Sequence, residues 1–298
     1  MFSHRNFIRI FLTLATALGL SACASLFPSD PTATPTATFT PEPPTATPEP
    51  LAMTVNGEGI TLEEFDAEVA RYITAQEALG ETVSSGDATS AVIEDLTAQM
   101  LLAQGARAEG FTLDDAALQS RIDSLAARIG GAGNLSQWQA DHGYSEQTFR
   151  SALRRAGEAA WMRDKIIAAV PGTAEQVHVQ QILLYNQETA QSFLLQLDGG
   201  ADFDELASRA DPLTRGDLGW LPRGYLLDER IEEAAFTLSV GGHSQVIATD
   251  VGFHILRILE HDPDRPLSPD ALLTLQERAL ENWVDNQRQQ ANIILAPT

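Results

Sequence analysis

Apolar side chains recur at three- and four-residue steps through the first half of the chain, which is the period of an amphipathic helix. The first of these stripes follows Thr61, which forms a capping-box signature for a helix start together with Glu64. Later stripes end before Gly110, Gly130 and Pro171, residue types that commonly follow the last turn of a helix. This half of the chain is therefore predicted to be helical.

The pattern of apolar positions changes after Pro171. The run from Val177 to Leu184 alternates, and both sets of positions are largely apolar, which predicts a strand with both faces at least partly buried. Two short helices follow, and after them a loop from Asp211 to Arg215. The remaining predicted elements are a short helix holding Ile231 and Phe236, and strands at Gln245–Ala248 and Phe253–Leu259.

One further helix is predicted near the end of the chain. Ser268 caps it, and Pro269 occupies the first helical position, where proline is favoured. Its apolar face carries Leu272, Leu275, Ala279 and Trp283, with Ile293 and Ile294 near its end. The pattern leaves open whether this face packs on the rest of the chain or against a second copy.

The first residues have the features of an export signal. Arg5 and Arg9 supply positive charge, and the apolar run from Phe7 to Leu20 is too short to span a bilayer comfortably. The run leads into Ser21-Ala22-Cys23, and the whole resembles the bacterial lipobox, which implies that Cys23 is acylated and becomes the mature N-terminus. The alternative is an ordinary buried cysteine near a transmembrane anchor. Cys23 is the only cysteine in the sequence, so no disulfide within the chain is predicted.

Residues 24–52 are predicted to form a tether. Between Pro28 and Pro50 the chain is almost entirely Pro, Thr, Ala and Glu, a composition that cannot bury enough apolar surface to fold. An extended polyproline segment rises about 3.1 Å per residue, so the tether can hold the folded part several tens of Å from a membrane surface. Folded sequence is expected from Met53, with a turn at Val55–Glu58.

The charge balance limits the possible partners. The 298 residues contain 19 Lys and Arg against 41 Asp and Glu, a formal net charge of -22. Recognition of a phosphate backbone needs clustered cations, so nucleic acid is not expected as a partner. Four of the histidines show no ligand spacing with acidic residues or cysteine, and no metal is predicted. They are His142, His178, His243 and His261.

Three motifs of the helical half resemble the N-terminal domain of the SurA and PrsA families of extracytoplasmic folding factors. They are VNGEGITLEEF, AEGFTLDDAAL and HGYSEQTFRSALRR, spread over Met53 to Pro171. The resemblance implies a cradle for unfolded client chains and a C-terminal helix that returns to pack on it. The alternative is a generic helical bundle.

A second set of motifs is similar, in order and spacing, to the parvulin type of peptidyl-prolyl isomerase domain. These motifs are QQILL, DFDELASRA, GDLGW, RGYLLDERIEEAAF and VGGHSQVIATDVGFHILRI. The resemblance implies a small antiparallel sheet wrapped by helices, and hence an α+β fold for the whole chain. It also implies catalysis of rotation about the bond before proline, without a cofactor.

A parvulin site binds proline in an apolar pocket. The barrier to rotation is about 18–20 kcal/mol, and the planar ground state is the more charge-separated one, so a pocket that removes water favours the twisted state. By position in the motifs, the pocket residues are Leu218, Leu227, Ile231 and Phe253, with Leu226 as the alternative to Leu227. Each of these residues has the alternative of being ordinary core.

The polar residues of the site are assigned by the same resemblance. His254 matches the second of two parvulin histidines, Thr249 matches the hydroxyl residue before it, and Asp211 falls near the family's Cys or Asp. Pro212 is the alternative for the position of Asp211. For His254, the alternative is a structural histidine on an apolar strand.

Gln181 departs from the family pattern, which has its first histidine immediately before the Ile-Leu pair. Glutamine donates and accepts hydrogen bonds, but it does not titrate. His178 lies three positions earlier, and strand alternation places it on the opposite face. If catalysis rests on desolvation and hydrogen bonding, Gln181 leaves the pocket usable; if it needs a pair of histidines, the domain only binds.

Five segments result: 1–23 lipoprotein signal peptide, 24–52 tether, 53–172 helical SurA/PrsA-like domain, 173–262 parvulin-type domain and 263–298 C-terminal helix. The predicted function is that of a membrane-anchored, extracytoplasmic peptidyl-prolyl isomerase and chaperone, acting on unfolded exported proteins and proline-containing peptides. One alternative is an ATP-independent holdase whose parvulin domain is weak or inactive. Another is a structural lipoprotein that assembles with a fixed partner through the terminal helix.

Overall fold

The computed structural model describes residues 49–226 and 228–296. Cys23 lies outside this range, as do the rest of the predicted signal peptide and nearly all of the predicted tether. Leu227 also lies outside it. Within the range, no helix combines the length and the apolar character that crossing a membrane requires.

Five helices occupy the described residues of the half that the apolar stripes predict to be helical. They are α1 (Leu62–Ala78), α2 (Ser85–Ala108), α3 (Asp115–Arg128), α4 (Ala132–Asp141) and α5 (Glu146–Ala168). Four of them begin at a side chain that accepts a hydrogen bond from the N–H three residues later. These caps are Thr61, Ser84, Asp114 and Ser145. The helix that the sequence pattern missed, α4, begins at Gly131 without a side-chain cap.

The capping box predicted at the start of α1 is only half formed. The hydroxyl oxygen of Thr61 accepts from the N–H of Glu64 at 3.2 Å. The buried carboxylate of Glu64 instead pairs with Arg155 of α5 at 2.7 Å. A charge-assisted hydrogen bond between two helices therefore replaces the reciprocal bond within the box, and it joins α1 to α5.

A three-stranded antiparallel sheet accompanies these helices. Its strands are β1 (Leu51–Val55), β2 (Glu58–Thr61) and β7 (Ile293–Leu295), in the order β2-β1-β7. Asn56 and Gly57 have φ angles of 53° and 85°, as both central residues of a tight hairpin turn require. Two expectations are wrong here: folded structure begins at Leu51, before Met53, and the isoleucines after the last helix form a strand. The β-branched pair favours extended backbone, and β1 supplies the partner strand.

The last helix, α9 (Pro269–Gln290), returns to the helical half of the chain. Ser268 caps it, with Pro269 in its first turn, as predicted. Trp283 packs against apolar residues of α2 and α5. At this crossing α2 carries Gly105, where a Cβ would lie only 2.6 Å from the Trp283 ring. The C-terminal helix therefore completes the helical part, which agrees with the predicted α+β fold.

The second part of the chain is built on a four-stranded antiparallel sheet. Its elements are β3 (Thr173–Leu184), α6 (Gln187–Asp198), α7 (Phe203–Ala210), β4 (Asp217–Pro222), α8 (Glu229–Thr237), β5 (Ile247–Thr249) and β6 (Gly252–Pro266). The strand order is β4-β3-β6-β5. The sequence pattern did not predict β4, because Gly219 interrupts the strand and Pro222 ends it.

Different helices cover the two faces of this sheet. On one face, Ile182 and Ile255 pack with apolar side chains of α6 and α7. On the other, which we call the α8 face, Val179 and Leu256 pack with Ile231 of α8. The strand β3 is therefore covered on both sides, as its two apolar sets of positions predict.

Candidate functional site

Three polar side chains predicted from the sequence meet on the α8 face of the sheet. Nδ1 of His254 lies 3.0 Å from Oε1 of Gln181, and its Nε2 lies 2.9 Å from Oγ1 of Thr249. Strand pairing brings them together, since His254 of β6 pairs with Leu183 of β3 and with Ile247 of β5. Residues two apart on a strand share a face, so Gln181 lies beside the imidazole.

Hydrogen bonds hold the imidazole on both sides. An amide oxygen only accepts, so Nδ1 of His254 carries a proton and donates it to Gln181. On the other side, Nε2 contacts the hydroxyl of Thr249, whose oxygen also accepts from the N–H of Val251 at 3.2 Å and lies 3.3 Å from the carbonyl oxygen of Gly252. The one hydrogen of this hydroxyl therefore has two acceptors within reach. Within the described residues, the side-chain hydrogen bonds of Gln181 involve only its oxygen, which leaves its amide N–H groups outside this network.

Burial keeps this histidine neutral. His254 is 7% exposed, and burial lowers the pKa of its imidazole below the ordinary value of 6.5. The carboxylate of Asp228 acts in the opposite direction and is the smaller of the two effects. Asp228 is itself ionised, because the hydrogen bond from Arg230 lowers its pKa to about 2.

We expect the lowered pKa of His254 to make the fold less stable in mild acid. In the unfolded chain the imidazole titrates near 6.5, above the folded pKa, so the unfolded state binds more protons and stability rises with pH. Stability is lost as the pH falls below about 6.5, and it is insensitive to this group above that value. Urea unfolding of the wild type and of His254→Gln, from about pH 8 to about pH 5, isolates the effect. A difference between the two proteins that stays constant with pH would contradict the assignment.

The loop that follows α7 is hydrogen-bonded to the backbone of Gln181. The carboxylate of Asp211 accepts from the N–H groups of Leu213 at 2.9 Å and Thr214 at 3.2 Å. The Thr214 hydroxyl and these N–H groups lower the pKa of Asp211. The loop ends at Gly216, whose carbonyl accepts from the N–H of Gln181 at 2.8 Å. Asp211 therefore shapes the loop, and within the described residues it makes no hydrogen bond to the imidazole network.

A second polar network, which the sequence analysis missed, holds the same loop. The buried side chain of Gln180 donates to the carbonyl of Arg215 at 2.8 Å and to Asp204 at 2.9 Å. It accepts from Arg257 at 3.1 Å, and Arg257 also pairs with Asp204 at 2.7 Å. Gln180 and Gln181 thus bind consecutive carbonyls of the loop, one through its side chain and one through its backbone. The signal available in the sequence is the polar Gln180 in a largely apolar strand.

The predicted pocket residues differ in how deeply they are buried. Ile231 is 8% exposed and belongs to the apolar cluster of the α8 face, and Leu226 packs half-buried against the same cluster. Leu218 is 38% exposed on the edge strand β4. Leu227 falls outside the described residues.

Phe253 is not brought to the side of the imidazole. It is adjacent to His254 in β6, and successive side chains of a strand point to opposite faces. Its partner across the strands is Leu184, which packs with the cluster beneath α6 and α7. The assignment of Phe253 to the pocket is therefore corrected: strand alternation places it on the opposite face of the sheet.

His178 does not replace the missing histidine. Its Nε2 lies 2.8 Å from the carboxylate of Asp217, and its ring stacks on Trp220 with centroids 5.5 Å apart. The pairing of β3 with both neighbouring strands shifts next to Val179, which separates His178 from the end of the strand that carries the network. Throughout residues 49–226 and 228–296, no group of three or more His, Cys, Asp or Glu is arranged to hold a metal ion.

Two family models match successive parts of the chain. Residues 180–260, which contain the imidazole network and the loop beside it, match the PPIC-type PPIASE domain. Residues 36–160 match the SurA-like N-terminal domain. The chain therefore combines a parvulin domain of the PPIC type with a SurA-like N-terminal domain, as the motifs predict.

The curated relatives of this chain include proteins named foldase protein PrsA. The protein from Geobacillus sp. (strain WCH70) is 34% identical over 98 residues, which are 31% of this chain and 35% of that protein. The protein from Geobacillus kaustophilus is 36% identical over 92 residues, 29% of this chain and 32% of that protein. The chain thus spans about a third of the length of these relatives. A crystal structure of the peptidylprolyl isomerase PrsA from Bacillus cereus is 19% identical, with a TM-score of 0.42, over 70% of this chain and 83% of that one.

Proposed function

We propose that this protein is a peptidyl-prolyl cis-trans isomerase that assists the folding of exported proteins. The observation that carries the proposal is the neutral imidazole of His254, held between Gln181 and Thr249 beside an apolar sheet face, within a PPIC-type domain. The relatives named as foldases support a role in folding. In this arrangement residues 53–172 and 263–298 bind client chains, and residues 173–262 act on their prolines.

Catalysis of prolyl rotation depends mainly on the environment that the site gives the peptide. Rotation about the prolyl bond has a barrier of about 18–20 kcal/mol and takes about 10–100 s without a catalyst. The twisted state has less double-bond character and less charge separation than the planar state, so an apolar surface that excludes water lowers the barrier. Leu226 and Ile231 provide that surface, and the exposed Leu218 adds to it.

The polar side chains orient the peptide. A donor to the carbonyl oxygen holds the substrate but favours the planar state, whereas a donor to the prolyl nitrogen favours the twisted state, in which the nitrogen lone pair is localised. The amide N–H groups of Gln181 are donors beside the imidazole, and within the described residues its network does not use them. Rotation about the prolyl bond forms and breaks no bond to hydrogen, so the reaction needs no proton transfer. The amide oxygen of Gln181 keeps a proton of the imidazole on Nδ1.

A protease-free assay of cis-to-trans relaxation in a proline-containing peptide tests this proposal. We expect micromolar protein to accelerate the relaxation above its uncatalysed rate. The control is the same protein after thermal unfolding, which retains the composition but not the site. No acceleration by the folded protein would rule out the isomerase function.

A second candidate function is an ATP-independent holdase, which Gln181 favours because it removes the usual first histidine. In that case the folded protein suppresses aggregation of an unfolded client without accelerating prolyl rotation. The variant Gln181→His separates the two functions: acceleration that appears only in this variant shows that the wild-type site binds without turning over.

We also propose that the chain is a lipoprotein, anchored to a bacterial membrane through Cys23 and held away from it by the Pro- and Thr-rich tether. The lipobox-like sequence before Cys23 and the composition of the tether support this location. Mass spectrometry of the mature N-terminus is expected to find an acylated Cys23. An unmodified chain that begins elsewhere would contradict the anchor.

A further inference from the structure

We propose that Arg278, on the C-terminal helix α9, is a positioning residue for the proline pocket. The inference rests on the proposed function, because it concerns the loop between β4 and α8, which carries Leu226 and of which the structure describes residues 223–226 and 228. The rest of α9 packs against α2 and α5. The helix that completes the helical part therefore also reaches the rim of the parvulin site.

The side chain of Arg278 is committed to this loop. Its half-buried guanidinium donates to the carbonyl of Gly224 and to the carbonyl of Leu226, the latter at 2.9 Å. No ion pair within residues 49–226 and 228–296 includes Arg278, although Glu229, Glu232 and Glu281 line the same cleft. Both bonds come from Nη1, so one nitrogen of the guanidinium holds two backbone acceptors rather than neutralising a carboxylate.

The carboxylate of Glu232, on α8, accepts hydrogen bonds from N–H groups of the same loop. Oε1 of Glu232 accepts from the N–H of Gly224 at 2.8 Å, and Oε2 accepts from the N–H of Leu226 at 3.3 Å. The loop has left β4 and has not yet entered α8, so its backbone groups need partners of this kind. Two charged side chains from different parts of the chain therefore bind both the N–H and the C=O of Gly224 and of Leu226.

The loop also lies in direct contact with α9. Gly224 has a φ of 82°, and a Cβ at this position would lie 3.3 Å from Cδ2 of Leu275. Leu226 in turn packs on the apolar cluster that contains Ile231. Arg278 therefore fixes the position of Leu226 on the α8 face. Without the Arg278 side chain, the loop becomes more mobile, and Leu226 moves with it.

The test compares Arg278→Ala with Arg163→Ala in the full chain. Arg163 is an exposed arginine of α5 that pairs with its neighbour Asp164, so it controls for the loss of one cation from the helical part. We expect Arg278→Ala to speed amide hydrogen exchange in residues 223–228 and to weaken binding of a proline peptide roughly tenfold, measured by titration calorimetry. Arg163→Ala is expected to change neither quantity. Arg278→Lys should restore part of the protection, since its ammonium nitrogen also donates more than one hydrogen bond but lacks the geometry of the guanidinium.

Each outcome decides the proposal. Unchanged exchange in residues 223–228, or unchanged affinity, in Arg278→Ala would overturn it. Loss of protection throughout α2 and α5, with no greater loss in the loop, would also overturn it, because Arg278 would then only stabilise helix packing. The isomerase rate of the wild type is measured separately. A wild type that binds the peptide without accelerating its rotation contradicts the proposed function, while exchange and affinity still decide the role of Arg278.

Discussion

Replacing Gly216 with alanine is expected to destabilise the parvulin domain by about 2–5 kcal/mol. Gly216 has a φ of 70°, and a Cβ at this position would lie 1.8 Å from the carbonyl oxygen of Gln181. Left-handed backbone alone costs an alanine about 1–2 kcal/mol, and an overpacked contact adds about 1–3 kcal/mol. The two backbones cannot separate cheaply, because the N–H of Gln181 donates to the carbonyl of Gly216 at 2.8 Å.

The matched control for this variant is Gly219→Ala, three residues further along. Gly219 has nearly the same φ, 71°, but its Cβ would have open space around it, with nothing within 4 Å. We therefore expect Gly219→Ala to lower the free energy of unfolding by only the backbone cost of about 1–2 kcal/mol. Urea unfolding followed by circular dichroism compares the two losses, and amide exchange of peptides from β3 locates them. Equal losses would show that the close approach to Gln181 contributes nothing.

The caps and turns were predictable from the sequence because they depend on neighbouring residues. Thr61 and Ser268 cap the helices that their local sequences indicate, and Asn56-Gly57 forms the hairpin turn. The strands β4 and β7 depend on pairing with β3 and β1, which are remote in sequence. In β4 and β7 the apolar positions are too few to establish a period, so no local pattern predicts these two strands.

The residues of the site were predictable from the sequence only where a motif assigns them. The resemblance assigned His254, Thr249 and Gln181 together, and the register of β3 with β6 brings them into contact. Phe253 was assigned by its place next to His254, and strand alternation turns it to the other face. Partners from distant segments, such as Arg257 for Gln180, follow from the tertiary fold and leave no local signal.

Replacing His254 with alanine is expected to lower kcat/KM for a proline peptide about a hundredfold, or about 2.7 kcal/mol of transition-state stabilisation. The loss has two sources. Without the imidazole, the half-buried Gln181 and Thr249 lose the hydrogen bonds that orient them, and each such bond contributes about 0.5–1.5 kcal/mol. Water also enters the space of the ring, which weakens the desolvation on which the proposed catalysis depends.

Two further variants decide why the imidazole matters. His178→Ala removes a histidine of the same strand pair that contacts Asp217 and lies outside the network, so it is expected to keep the wild-type kcat/KM. His254→Gln keeps a neutral group that both donates and accepts, and we expect it to lose less activity than His254→Ala. Such a result would mean that the site works through neutral hydrogen bonding, in which case Gln181 performs the task of the histidine it replaces. If His254→Gln lowers kcat/KM as far as His254→Ala does, the imidazole ring itself is required. In that case the absence of the first histidine is the reason to expect a site that binds proline without catalysing its rotation.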